Sequence, residues 1–223
     1  MSDSRFTVEA VLFDLDGTLV DSLPDIAQAA NRMLAELGRP ERSTAEIRRF
    51  VGKGIPNLVM RCMTEGTQAS PAEIEAAITV FRHHYAAANG VRATVYPTVP
   101  DTLEAMRAMG LKLACVTNKA ESFTLPLLRK LDLARYFDAV VSGDTLPVKK
   151  PDPAVLRHAC TLLGTSRALM VGDSANDALA ARGAGLPVLL MTYGYSEGMP
   201  VDTIECDGLL STASEALARI RRA

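Results

Sequence analysis

The stretch VLFDLDGTLV, Val11 to Val20, decides the fold. With the residues just before it, it makes a short apolar run from Val8 to Asp14 that is β-branched in part, the pattern of a buried strand. The run ends on two acids one residue apart, Asp14 and Asp16, with Gly17 and Thr18 directly behind them. Alternate strand positions share a face, so the two carboxylates reach into one space. Gly17 lets the backbone turn sharply beside a ligand, and Thr18 is placed to bond the local backbone and fix the loop. Paired acids at the end of a buried strand are costly unless something balances their charge.

Working outward from this strand, the chain from about Leu23 to Ala88 reads as four successive helices. Ile26, Ala29, Met33 and Leu37 fall on one helical face, and Gly38 stops that helix. STAE at Ser43–Glu46 and SPAE at Ser70–Glu73 are capping boxes, the second with Pro71 in the first turn. After Gly90 the pattern becomes alternation. LKLACVT (111–117), FDAVVSG (137–143), ALMVGD (168–173) and PVLLMTYG (187–194) read as strands, with helices at 122–133, 152–163 and 174–185 between them. Strands alternating with helices predict an α/β, doubly wound parallel sheet. The all-helical block is then an inserted cap: residues 22–89 form the cap domain, residues 1–21 and 90–223 the core. Hinges are expected near Asp21–Leu23 and Asn89–Val95.

Composition limits the function. The 223 residues are 48% hydrophobic and 22% charged, with a net charge of −2, so no basic field recruits nucleic acid or an anionic membrane. No apolar run approaches the roughly 20 residues of a membrane span. There is no basic, apolar leader at the start. The four cysteines, Cys62, Cys115, Cys160 and Cys206, form no CxxC pair and read as reduced thiols of a cytoplasmic protein.

Open parallel sheets bind ligands beyond the carboxyl ends of their strands. Those ends carry Asp14 and Asp16, then Thr117 and Asn118, then Lys149 and Lys150 a few residues past Gly143, then Asp173 with Asp177 one turn later. Several acids on one rim repel unless a cation sits among them. Oxygen ligands with open positions suit Mg²⁺.

DLDGT, VTN, KKPDP and GDSAND, in this order and spacing, resemble the four motifs of the haloacid dehalogenase superfamily of phosphohydrolases. The resemblance covers essentially the whole chain, helical cap included. Within the superfamily, VGKG (51–54), SGDTLPVKKPDP (142–153) and MTYGYSEG (191–198) resemble segments of bacterial phosphoglycolate phosphatases, with Lys53 where those carry Asn. The resemblance implies a Mg²⁺-dependent phosphomonoesterase that hydrolyses 2-phosphoglycolate. Asp14 matches the nucleophile that forms an aspartyl phosphate, and Asp16 the general acid/base. Thr117 and the backbone N–H of Asn118 match the phosphate clamp. Lys150 matches the lysine that neutralises the nucleophile and the phosphoryl oxygens. Asp173 matches a direct metal ligand, joining the Asp14 carboxylate and the Asp16 carbonyl. Asp177 matches an outer acid that acts through water or by holding Lys150. Lys53, and more weakly Arg61, are expected to offer charge to the substrate.

Plainer roles suit the remaining polar residues. Lys149 is expected at the surface, Asp144 in a loop, and His83 and His84 on a cap helix as packing or solvent residues. A two-component receiver domain shares the acidic site, but a switch has no use for a base at Asp16 or for a lid. P-type pumps need membrane spans. A phosphosugar mutase, or a phosphatase for an amino-sugar acid 6-phosphate, remains as the alternative reading. The expected partner is a small phosphate ester, met by a monomer or homodimer.

Overall fold

The computed structural model describes residues 5–64, 66 and 68–223; residues 1–4, assigned to the core by sequence, and Glu65 and Thr67, assigned to the cap, lie outside the described residues. The chain begins with β1 (Phe6–Val8), β2 (Ala10–Phe13) and the short β3 (Val20–Asp21). Four helices follow: α1 (Leu23–Glu36), α2 (Thr44–Arg48), α3 (Ile55–Thr64) and α4 (Pro71–Ala88). Then come β4 (Thr94–Val95), α5 (Val99–Ala108), β5 (Lys112–Val116), α6 (Glu121–Lys130), β6 (Ala139–Val141), α7 (Ala154–Leu163) and β7 (Ala168–Gly172). The chain closes with α8 (Ala175–Ala184), β8 (Val188–Met191), β9 (Leu209–Leu210), α9 (Glu215–Arg219) and β10 (Ile220–Arg222).

The main sheet runs β6-β5-β2-β7-β8-β9, and every pairing in it is parallel. The chain leaves β2, builds outward through β5 and β6, then returns to β2's other side with β7. Strand order therefore reverses at β2, which puts a crevice at its carboxyl end. Val11 and Phe13 pack into one apolar layer with Val99, Leu103 and Met106 of α5, while Ala10 and Leu12 pack into the other with Val155, Leu156 and Ala159 of α7. This period-two division is the reason a fully apolar run can serve as the central strand.

Several details depart from the sequence reading, which did not anticipate the edge strand β9 or the C-terminal α9 and β10. The run from Val8 to Asp14 is broken at Glu9: the N–H groups of Glu9 and Ala10 both donate to the Arg167 carbonyl, β1 pairs with β10 instead, and β2 alone joins the main sheet. Helix α5 was not anticipated. Its apolar positions at i, i+4 and i+7 are regular, but Pro97 and Pro100 punctuate its start.

Helices α1–α4 lie between β3 and β4 and share an apolar core of their own, including Met33, Phe50, Val59 and Phe81. Both capping boxes form, at Ser43 with Glu46 and at Ser70 with Glu73. The two connections to the sheet meet side by side, because β3 and β4 pair antiparallel with Val20 opposite Val95. Asp25, fully buried in α1, accepts the backbone N–H groups of Gly90, Val91, Arg92 and Ala93 and so ties the first helix to the returning strand. Among the described residues no helix is long and apolar enough to cross a membrane.

Candidate active site

Register places the acids. Phe13 is level with Cys115 of β5 and Val171 of β7, so Asp14 is the first residue beyond the sheet, its N–H donating to the Val171 carbonyl at 3.0 Å. Lys150 reaches the same point from the segment after β6. Its buried ammonium lies 2.8 Å from Asp14 Oδ1 and 2.7 Å from Asp177 Oδ1, and donates to the Val116 carbonyl at 2.7 Å. Burial works against this ammonium, but Asp14 and Asp177 outweigh it and hold its pKa above the ordinary lysine value.

The five residues after β7 form an acid-bearing turn. Asp177 Oδ2 accepts the N–H groups of Asp173 and Ser174 and the Ser174 hydroxyl, so Asp177 caps its own helix while its other oxygen takes Lys150. Both Asp177 oxygens are thereby engaged, and the carboxylates that face the crevice are Asp14, Asp16 and Asp173. Asp173 Oδ1 accepts the Thr18 hydroxyl at 3.0 Å and Oδ2 accepts the Tyr195 N–H. Thr18 was expected to bond its local backbone. The nearby Leu15 carbonyl already receives three backbone N–H groups, and the buried Asp173 carboxylate is the stronger acceptor.

Space around Asp173 is made by glycine. A Cβ on Gly17, which has φ +91°, would sit 2.3 Å from Asp173 Oδ2, and one on Gly194 would sit 2.2 Å from the Asp173 Cβ. Side-chain oxygens of Asp14, Asp173 and Asp177 lie within 4.8 Å of one another. Burial pushes Asp14 up to about 6, with repulsion from Asp177 adding to it against the pull of Lys150. Burial, then the charges of Asp14 and Asp177, raise Asp173 well above the usual carboxylate range. Asp14 Oδ1 is buried and makes no aligned hydrogen bond despite its contact with Lys150. Crowded, desolvated and under-satisfied oxygens of this kind fit a small hard cation.

Thr117 is buried at the end of β5 and lines the crevice. The Asn118 side chain is committed elsewhere: it accepts the Lys150 N–H at 2.9 Å and donates to the carbonyls of Lys150 and of Gly52 in the cap, at 2.8 and 2.9 Å. Only its backbone is left for the role that the family resemblance implies. Asp16 accepts the Ser22 hydroxyl at 2.6 Å and the Lys119 ammonium at 3.0 and 3.1 Å. Lys119 had not been singled out. It follows VTN directly, and one signal was available: it is a lysine within two residues of a buried strand's end, where charge needs a purpose. Tyr195 was missed too. Its N–H holds Asp173 while its hydroxyl donates to Asp21 and accepts the Leu23 N–H, joining the acid site to the first hinge.

Helices α1–α4 lie over these groups and leave a cavity of about 60 Å³, walled by Ile26, Val51, Ile55, Leu58 and Phe81. Lys53 is not in its lining. The Lys53 ammonium pairs with Glu197 of the loop after β8 at 2.8 Å, with half its side chain exposed. Arg61 donates to the Arg49 carbonyl and lies over the Phe50 ring, bracing the cap loop from within. Arg48 donates to the carbonyls of Tyr193 and Gly194 at 2.8 and 2.6 Å, a further tie between cap and core. Asp144 receives the Glu121 N–H at the start of α6, and His84 pairs with Glu36, so both keep the plain roles expected of them.

The chain is similar to known proteins. A phosphoglycolate phosphatase of Nitrosospira multiformis is 47% identical over 219 residues, 96% of each chain, and one of Thiobacillus denitrificans is 44% identical over the full length of both. The crystal structure of a predicted phosphoglycolate phosphatase from Haemophilus somnus superposes with a TM-score of 0.89 at 32% identity, covering 94% of this chain and 96% of that one. The haloacid dehalogenase-like hydrolase family matches residues 8–185, across the cap and through all four rim motifs, and the chain belongs to that family.

Proposed function

We propose that this enzyme hydrolyses 2-phosphoglycolate to glycolate and phosphate. The observation that carries the reading is the small cavity that helices α1–α4 leave above Asp14 and Asp16. Its lining sets the carboxylates of Asp14, Asp16 and Asp173 and the Lys119 ammonium against an apolar wall from α1, α3 and α4, and its roughly 60 Å³ suits a small, polar leaving group. The names of the relatives at 44–47% identity support the same substrate. Residues 22–89 act as the cap and residues 1–21 with 90–223 as the catalytic core.

The Asp14 carboxylate attacks phosphorus, forming the new P–O bond as the bond to the glycolate oxygen breaks. Asp16 gives its proton to the departing alkoxide. It then takes a proton from water, whose oxygen attacks the aspartyl phosphate and frees Asp14 and phosphate. Lys150 lies against Asp14 and neutralises the phosphoryl oxygens as charge builds on them. Thr117 and the Asn118 N–H orient those oxygens. Mg²⁺, held by Asp14, Asp173 and the Asp16 carbonyl, would supply the remaining neutralising charge. Asp177 holds Lys150 in place rather than meeting substrate. The cysteines form no disulfide, in keeping with work in the cytoplasm.

A phosphate-release screen of the purified protein against small phosphate esters tests the reading. The highest kcat/KM is expected for 2-phosphoglycolate; a sugar phosphate cleaved best, with phosphoglycolate untouched, would replace it with the phosphosugar alternative.

A further inference from the structure

The cavity has one charged group that the hydrolytic steps leave without a task. Lys119 lies at the end of the second rim segment with its side chain 4% exposed. Its three ammonium hydrogens are matched by three acceptors: the two Asp16 oxygens, at 3.0 and 3.1 Å, and the Tyr85 hydroxyl brought down by α4. The Tyr85 ring lies under the same nitrogen, 4.8 Å from its centroid. Burial opposes the Lys119 charge, but Asp16 and Tyr85 outweigh it and keep the ammonium protonated. Among the described residues that line the cavity Lys119 is the sole cation, and the wall opposite is apolar.

From this we infer that Lys119 and the Tyr85 hydroxyl form the subsite for a carboxylate on the ester's leaving group. The inference rests on the phosphoglycolate reading for its ligand and deepens it by naming the groups that select it. Among the described residues that line the cavity, an anion placed beside Asp14 meets no other ammonium. Tyr85, having accepted from Lys119, keeps its own hydrogen to donate, and burial pushes it up to about 12, so it stays a donor at neutral pH. Because all three Lys119 hydrogens are engaged in the closed enzyme, an arriving carboxylate must take one that now goes to Asp16. That exchange opens one Asp16 oxygen toward the leaving oxygen. Recognition of the carboxylate and freeing of the proton carrier are then one event, and the binding energy of the remote group goes into the reacting geometry.

The test compares 2-phosphoglycolate with 2-hydroxyethyl phosphate, an ester of the same length whose leaving group carries no charge, in wild type, Lys119→Met and Tyr85→Phe. In Lys119→Met the ratio of the two kcat/KM values is expected to fall about 50-fold, with KM for phosphoglycolate rising, and in Tyr85→Phe about fivefold. Loss of both esters by the same factor would overturn the inference and leave Lys119 as a support for Asp16 alone. If the wild type prefers another compact carboxylate ester, such as 2-phospholactate, the phosphoglycolate reading fails while the subsite is judged by the same ratio for that ester. A wild type with no preference for anionic leaving groups overturns the subsite outright. Circular dichroism reports whether Lys119→Met folds; if it does not, the ratio in Tyr85→Phe, which loses a single hydroxyl, decides.

Discussion

Asp14 is pulled in two directions at the scale of single atoms. Burial favours its protonated form, and Lys150 at 2.8 Å favours the charged one that attack requires. Asp14→Asn keeps the size and removes the proposed nucleophile, so kcat is expected to fall by at least about 10³-fold with an unchanged melting profile. Steady-state rates beside a thermal melt check this, and comparable turnover would remove the covalent step. Gly17 makes a different point. Alanine there must carry φ +91° and place its Cβ 2.3 Å from Asp173 Oδ2, so Asp173 has to move. Gly17→Ala is expected to weaken Mg²⁺ affinity by about 10–100-fold, read by titrating activity in chelator-treated protein. A superimposable titration would mean that Asp173 does not set metal affinity.

Among the elements, the hinge segments carry more than their length suggests. One carboxylate, Asp25, satisfies four backbone N–H groups of the returning linker. Asp25→Ala leaves those donors buried without it and is expected to cost about 3 kcal/mol in urea denaturation, far more than a surface acid. The ties between cap and core are of another kind. Lys53 and Glu197 pair at the surface, where such pairs contribute up to about 1 kcal/mol. Lys53→Ala is therefore expected to lower kcat/KM for phosphoglycolate and for p-nitrophenyl phosphate in parallel, by about two- to fivefold, through looser closure. A loss confined to phosphoglycolate would return Lys53 to substrate recognition. Elements with strong local signals, such as the capping boxes at Ser43 and Ser70 and the apolar strand before Asp14, were legible in the sequence. Lys119 and Tyr195 were not, because their meaning comes from partners 103 and 22 positions away. The Lys53 partner was not legible for a similar reason. The glycines on either side of it signal a close backbone approach, but its side chain answers to Glu197, which local sequence does not bring near.

Over the whole molecule, the buried acids make stability depend on metal and pH together. Asp14 titrates near 6, above its ordinary value, so the folded protein without metal binds more protons than the unfolded chain between about pH 4 and 6. The sign follows: across that window the metal-free fold loses stability as pH rises, and the penalty is complete once both states are ionised. A cation among Asp14 and Asp173 relieves it, and binds best when both carboxylates are charged. The rise in melting temperature on adding Mg²⁺ to chelated protein is expected to grow as pH increases from 5 to 7, in steps read by calorimetry. A shift that is flat over this range would show that the acids do not release protons to the ion.

The pairing of β3 with β4 has a consequence for how such an enzyme changes over time. Residues 22–93 leave and rejoin the core at neighbouring positions, with Val20 beside Val95. To the sheet, the entire bundle of four helices is the loop of a hairpin. Closing a longer or shorter loop alters the entropy only with the logarithm of its length. Another set of helices, or a plain turn, can hang from the same two strands while Asp14 keeps its place at the end of β2. Diversification of the ester cleaved can therefore proceed by exchange of the hairpin's contents, with the chemistry inherited intact.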